Sequence, residues 1–161
     1  MPYGALPYYR AVPDIKSIIC FEPDKRSYKK MLERNIPCLT AYNAAAGRKE
    51  GETLFSGGGG RNSSTGKGNT VIPVKSIDSA AENTAVSCIK IDAEGDESEV
   101  LAGASETIWK NRPSLNVSLY HRAGDLWKLP LLLHRMDGKY KLYIRKKEYV
   151  PMWDISVFCM P

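Results

Sequence analysis

The densest set of reactive side chains lies in Ile89-Lys90-Ile91-Asp92-Ala93-Glu94-Gly95-Asp96-Glu97, a β-branched run that ends abruptly in carboxylates. Open α/β sheets place their chemistry at the carboxyl ends of such strands. Asp92 and Glu94 stand at the strand end itself, where like charges crowd. Crowding of that kind raises one carboxyl pKa towards the range useful for proton abstraction, or recruits a cation that removes the repulsion. Asp96, Glu97 and Glu99 follow where a helix starts, and their charge complements its dipole. A calcium loop does not fit, because Glu97 stands at the sixth position in place of glycine and Gly103 at the twelfth in place of glutamate.

His121 follows the next strand, in Ser118-Leu119-Tyr120-His121-Arg122. In a parallel sheet it emerges at the same edge as Asp92, where a carboxylate and an imidazole make either a proton-transfer pair or two ligands of a metal. A surface histidine bonded to its own turn is the plainer alternative. Glu22, in Phe21-Glu22-Pro23-Asp24, also ends a short strand ahead of a helix. A carboxylate there suits two ribose hydroxyls, because it is a bidentate acceptor; it also serves as a solvated acid beside a helix N-terminus. Gly66-Lys67 invites a phosphate-loop reading that fails, since Arg61 occupies the first glycine position and Gly68 the position of the magnesium-binding hydroxyl.

Alternating strand and helix signals must position these groups, and they favour a βαβ architecture. Strands are predicted at Ile18 to Phe21, Cys38 to Tyr42, Glu52 to Phe55, Thr70 to Val74, Ser87 to Asp92, Leu115 to Tyr120, Tyr140 to Ile144 and Ile155 to Cys159. Helices are predicted from Pro23-Asp24 to near Asn35, after the acidic turn with Val100, Leu101, Ala104 and Ile108 on its apolar face, and through Leu129, Leu132, Leu133 and Met136. The small residues Ala44 to Gly47 let a flat ligand approach the backbone, or make an ordinary turn. Residues 57–69, rich in Gly and Ser, read as a flexible loop, a lid or a hairpin connection.

The chain has 161 residues, 43% of them hydrophobic, and a net charge of +5, which suits one domain with a single core. It has no membrane-length apolar run and no signal-peptide layout, so a cytoplasmic location is expected. Cys20, Cys38, Cys88 and Cys159 fall in apolar strand-like runs without zinc or disulfide spacing, and read as buried free thiols. Lys139, Lys141, Arg145, Lys146 and Lys147, interleaved with Tyr140 and Tyr143, read as a solvated strand face, and nucleic-acid binding is not expected.

Taken in order, these pieces resemble the FkbM-type methyltransferases, which use S-adenosylmethionine on a Rossmann-like sheet. The resemblance rests on Phe21-Glu22-Pro23-Asp24, Asn43-Ala44-Ala45, Ile89 to Gly95 with Glu97, Val100 to Ala104, Arg112-Pro113 and Ser118 to His121, with Asp125-Leu126 and the Tyr140 to Arg145 strand. It implies methyl transfer to an oxygen of a small molecule or glycan. Glu22 would hold the cofactor ribose, Asn43 and Ala44 would lie near the adenine, and Asp92, Glu94 and His121 would face the substrate, with Asp92 also near the cofactor. A divalent metal is compatible with the same residues.

Against that pattern, residues 1–17 contain only Gly4 and no glycine-rich turn. The expectation is therefore a single, incomplete α/β domain, a Rossmann-like methyltransferase sheet with flanking helices that lacks the first strand and glycine-rich turn. Two consequences are expected: either the Phe21 strand closes against the Asp92 strand, or exposed sheet edges favour self-association. A catalytically silent Rossmann-like binding module is the alternative function.

Overall fold

The computed structural model describes residues 14–57, 64–66, 68–146 and 154–161. Residues 1–13 of the atypical N-terminus, residues 58–63 of the 57–69 loop, Lys67 and Lys147 lie outside the described residues. The chain divides into two compact units between Lys75 and Ser76.

In the first unit, β1 (Ile18–Phe21) leads into α1 (Lys25–Leu32) and then β2 (Leu39–Tyr42), which pairs with β1 in parallel, Phe21 opposite Tyr42. The Asp24 carboxylate caps α1 by accepting the Ser27 N–H at 2.8 Å, and Lys29 and Lys30 sit in the last turn, where the helix dipole favours cations. A second sheet follows from β3 (Ala45–Ala46), β4 (Gly51–Ser56), β5 (Ser64–Thr65) and β6 (Thr70–Lys75), in the order β3-β6-β4-β5.

Two features of that sheet correct the sequence reading. Of the small residues after β2, Ala45 and Ala46 form a strand rather than an ordinary turn: Ala45 packs with Phe55 and Ile72, and a Cβ on Gly47 would lie 2.6 Å from Val74 Cγ1. Their smallness answers crowding against β6. The 57–69 segment is also more than a connection, because β5 pairs Thr65 with Phe55.

The second unit opens with α2 (Ile77–Ala80), capped by Ser76, and continues through β7 (Cys88–Ile91), α3 (Glu97–Ala102), α4 (Ser105–Asn111) and β8 (Ser114–Ser118). It closes with α5 (Asp125–Met136), β9 (Lys141–Lys146) and β10 (Ile155–Met160). The sheet order is β7-β8-β10-β9, with β7 parallel to β8 and β10 antiparallel to both neighbours. Strand alternation puts Ile89, Ile91, Leu115, Val117, Val157 and Cys159 into the core, and the helices add Val100, Leu101, Ile108, Leu129 and Leu133, all of them buried. Full burial of a side chain of this size contributes about 1.5–3 kcal/mol.

The single helix expected after the acidic turn is instead two. The Asp78 carboxylate accepts the N–H groups of Glu106 and Thr107 at 3.1 and 2.8 Å, while the Asp78 N–H donates to the Gly103 carbonyl at 2.8 Å. One residue thus ends α3 and caps α4.

The thiols are free, but Cys159 is the buried one; Cys20 and Cys38 are half-buried and Cys88 is exposed, because it faces outward from β7. The basic strand does not alternate either: Lys141, Tyr143, Ile144, Arg145 and Lys146 are all exposed on β9, which pairs only with β10 among the described residues. Basic side chains are a usual guard for such an edge. Tyr140 leaves the patch altogether, buried with its hydroxyl donating to the Pro113 carbonyl at 2.7 Å. Among the described residues, β1 belongs to a two-stranded sheet with β2, and β7 to the four-stranded sheet with β8, β10 and β9.

Candidate active site

In the first unit, parallel pairing brings Glu22 and Asn43 side by side past the carboxyl ends of β1 and β2. The Glu22 N–H extends the ladder to the Tyr42 carbonyl at 3.0 Å. Asn43 Nδ2 donates to the Glu22 and Pro23 carbonyls at 2.8 and 3.2 Å, so Asn43 fastens the turn that presents Glu22. Glu22 Oε1 accepts the Asp24 N–H at 2.9 Å. Burial pushes the Glu22 carboxyl above its ordinary value; the Asp24 N–H opposes that shift and the Asp24 charge adds to it. Below the turn the rings of Phe21 and Tyr42 stack at 5.5 Å. Ala44, next in the chain, is buried, at 4% exposure.

In the second unit, the turn after β7 runs through two left-handed residues, Glu94 at φ +51° and Gly95 at φ +104°. Glycine adopts that conformation without strain; glutamate does so at a cost, which its surroundings must offset. The turn aims the N–H groups of Ala93 and Gly95 at Glu97 Oε1, at 2.9 and 3.4 Å. Glu97 is the first residue of α3 and only 1% exposed.

His121 reaches the same place from the end of β8. Its Nδ1 lies 2.6 Å from Glu97 Oε1, and its Nε2 lies 3.4 Å from Glu94 Oε2 and 3.5 Å from Asp92 Oδ1. The Tyr120 hydroxyl donates to Asp92 Oδ1 at 3.1 Å, and Lys90 Nζ approaches Asp92 Oδ2 at 3.3 Å. Side-chain exposure grades outward from 1% at Glu97 and 8% at His121 to 38% at Glu94 and 39% at Asp92. The arrangement is a buried anchor under an open acidic rim. Beside it, Arg122 Nη2 donates to Asp96 Oδ1 at 3.0 Å.

Burial alone would lower the His121 pKa, but the Glu97 hydrogen bond and charge, then Asp92 and Glu94, outweigh it and hold the ring above its ordinary value. Burial would raise Glu97, and the His121 bond with the Ala93 N–H reverses that and lowers it. Burial and the Asp92 charge raise the Tyr120 phenol. Burial raises Asp96 as well, against the opposing Arg122 charge.

The structure therefore gathers Asp92, Glu94 and His121 at one sheet edge, and His121 is not a surface histidine. The crowded carboxylates meet Lys90 and the His121 imidazole. Asp92, Glu97 and His121 each offer one donor atom of a kind divalent ions accept, all within 4.8 Å of one another. Sequence reasoning missed Glu97 as part of the site. The available signal was its spacing: Glu97, Val100 and Leu101 share the buried stripe of one helix, at i, i+3 and i+4.

A family model, the methyltransferase FkbM domain, matches residues 6–150. The crystal structure of methyltransferase FkbM from Methylobacillus flagellatus KT superposes with a TM-score of 0.70 at 24% sequence identity, covering 90% of this chain and 36% of that one. At that identity the likeness is one of fold, and this chain spans about a third of its length. No curated protein matches the chain. With most of its length inside the family model and the same mixed α/β fold, the chain belongs to the FkbM methyltransferase domain family.

Proposed function

We propose that this chain transfers a methyl group from S-adenosylmethionine to a hydroxyl oxygen of a small molecule or glycan. The observation that carries the reading is the convergence of Asp92, Glu94 and His121, from two parallel strands, around a partly open rim. A hydroxyl placed there meets an imidazole nitrogen that can take its proton and two carboxylates that can accept hydrogen bonds from neighbouring hydroxyls. The negative rim disfavours phosphorylated or carboxylated acceptors and suits neutral polyols.

Glu22 supports the cofactor assignment. It is a half-buried acceptor at a strand end, with a turn fixed by Asn43. When bound, S-adenosylmethionine supplies a methyl group on a sulfonium, which departs as a neutral thioether. The protein's own task is alignment and one proton: His121 Nε2 takes the hydroxyl proton as the O–C bond forms, and Asp92 and Glu94 hold the acceptor in line.

Formation of S-adenosylhomocysteine, measured over a panel of sugars and small polyols, tests this. Turnover that Asp92→Asn lowers by about 10²-fold or more, in a protein that stays folded, is the expected result. Turnover indifferent to Asp92→Asn would overturn the site assignment, and turnover only with anionic acceptors would overturn the substrate class.

A further inference from the structure

We propose that Glu97 is the positioning residue of this site: it fixes the His121 ring with a hydrogen on Nδ1, so that Nε2 is the basic atom presented between Asp92 and Glu94. The consequence for turnover rests on the methyl-transfer reading above; the assignment of the ring rests on geometry alone.

The distances decide where the hydrogen sits. Nδ1 and Glu97 Oε1 are 2.6 Å apart, the separation of a strong charge-assisted hydrogen bond, whereas Nε2 stands 3.4 and 3.5 Å from the nearer carboxylate oxygens. A neutral imidazole has one N–H, and it belongs where the bond is short. Free imidazole side chains favour the other tautomer, with the hydrogen on Nε2 and the lone pair on Nδ1, so the protein has to impose this one.

Glu97 is built to do so. At 1% exposure it cannot turn to water, and its Oε1 is held by the Ala93 and Gly95 N–H groups of the same left-handed turn that carries Glu94. Its backbone starts α3, with Val100 and Leu101 buried one turn on. The carboxylate is therefore fixed by both helix and turn, and it fixes the ring in turn. Among the described residues, the other charged or titratable groups around the ring include Asp92 and Glu94 at Nε2, Tyr120 with its ring centroid 4.1 Å away, Asp154 through its charge on Tyr120, Lys90 through Asp92, and the Asp96–Arg122 pair beside the turn.

In the transfer step the acceptor O–H bond would break and its proton join Nε2 while the oxygen pair bonds the methyl carbon, whose bond to sulfur would break with its pair left on the sulfur. The imidazolium so formed has its charge matched by Glu97 and gives the proton to water afterwards. An anchor that merely tied the turn together would leave the ring in its preferred tautomer.

The test is the 15N spectrum of the full chain labelled at histidine, recorded above the pH at which the ring loses its second proton. His121 and His134 are the two histidines, and His134→Gln assigns their signals. The expected wild-type spectrum shows His121 with its hydrogen on Nδ1; a hydrogen on Nε2 overturns the proposal, whether or not any variant folds. In kinetics, Glu97→Gln should lower kcat by about 10²-fold or more while KM for the acceptor stays within about threefold. Unchanged kcat in a folded Glu97→Gln protein overturns the positioning role. Nδ1–H in a wild-type chain that turns over no acceptor overturns the methyl-transfer reading and leaves the ring assignment standing.

Discussion

His121 sits between a buried carboxylate and two exposed ones, and that asymmetry gives its two nitrogens different work. Replacing it with asparagine removes the basic nitrogen, so His121→Asn should lower kcat by about 10²- to 10⁴-fold, and should also lower the unfolding midpoint, because the buried Glu97 carboxylate loses its imidazole partner. The Glu97–His121 pair also sets a pH window for stability. His121 is raised in the folded state, so its contribution is complete below its ordinary value of 6.5 and is lost as pH climbs through the higher folded value. Glu97 is lowered, so its contribution is present above its ordinary 4.5 and is lost as pH falls through the lower folded value. Urea midpoints should therefore peak between about 4.5 and 6.5 and decline on both sides; in Glu97→Gln both declines should shrink. At this scale Asp92, Glu94 and His121 were legible in the sequence, because a strand end announces itself by an apolar run stopping at a charge. Glu97 was hidden among Asp96 and Glu99, acidic neighbours at the same helix start, and only the direction of its side chain into the core separates it from them.

The strands and helices were legible wherever apolar periodicity ran for a full turn or several alternations, as in β1, β7, β8 and α5. They were illegible where a distant side chain decides. Nothing near Gly103 predicts that Asp78 will cap a new helix there, and the two alanines of β3 carry no strand signal beyond their fit against Val74. The turn after β7 is the element on which the site depends. A methyl group on Gly95 would meet Arg122 Nε at 2.8 Å in a backbone already at φ +104°. Gly95→Ala should cost roughly 1–3 kcal/mol, read by thermal unfolding, and should weaken turnover by displacing the Ala93 and Gly95 N–H groups from Glu97. Tyr140→Phe removes the buried bond to the Pro113 carbonyl and should cost about 1 kcal/mol while leaving turnover unaltered, because that bond ties β9 to the start of β8 rather than to the site.

For the whole molecule, the sequence order of motifs carried more than any one of them: each match is short, yet together they span the length over which the family model fits. Among the described residues no helix is long and apolar enough to cross a membrane. β1 pairs only with β2 and β7 only with β8 among the described residues, so each presents one unpaired edge. If those edges recruit a second copy, the apparent mass in sedimentation should rise with concentration. Calorimetric titration of the 161-residue chain with S-adenosylhomocysteine, beside Glu22→Gln, tests whether this chain binds the cofactor from which the methyl group would come. Micromolar binding to the wild type is expected, weakened about tenfold or more when Glu22 loses its charge. A folded chain that binds no S-adenosylhomocysteine, or binds it equally well without the Glu22 carboxylate, would contradict that expectation.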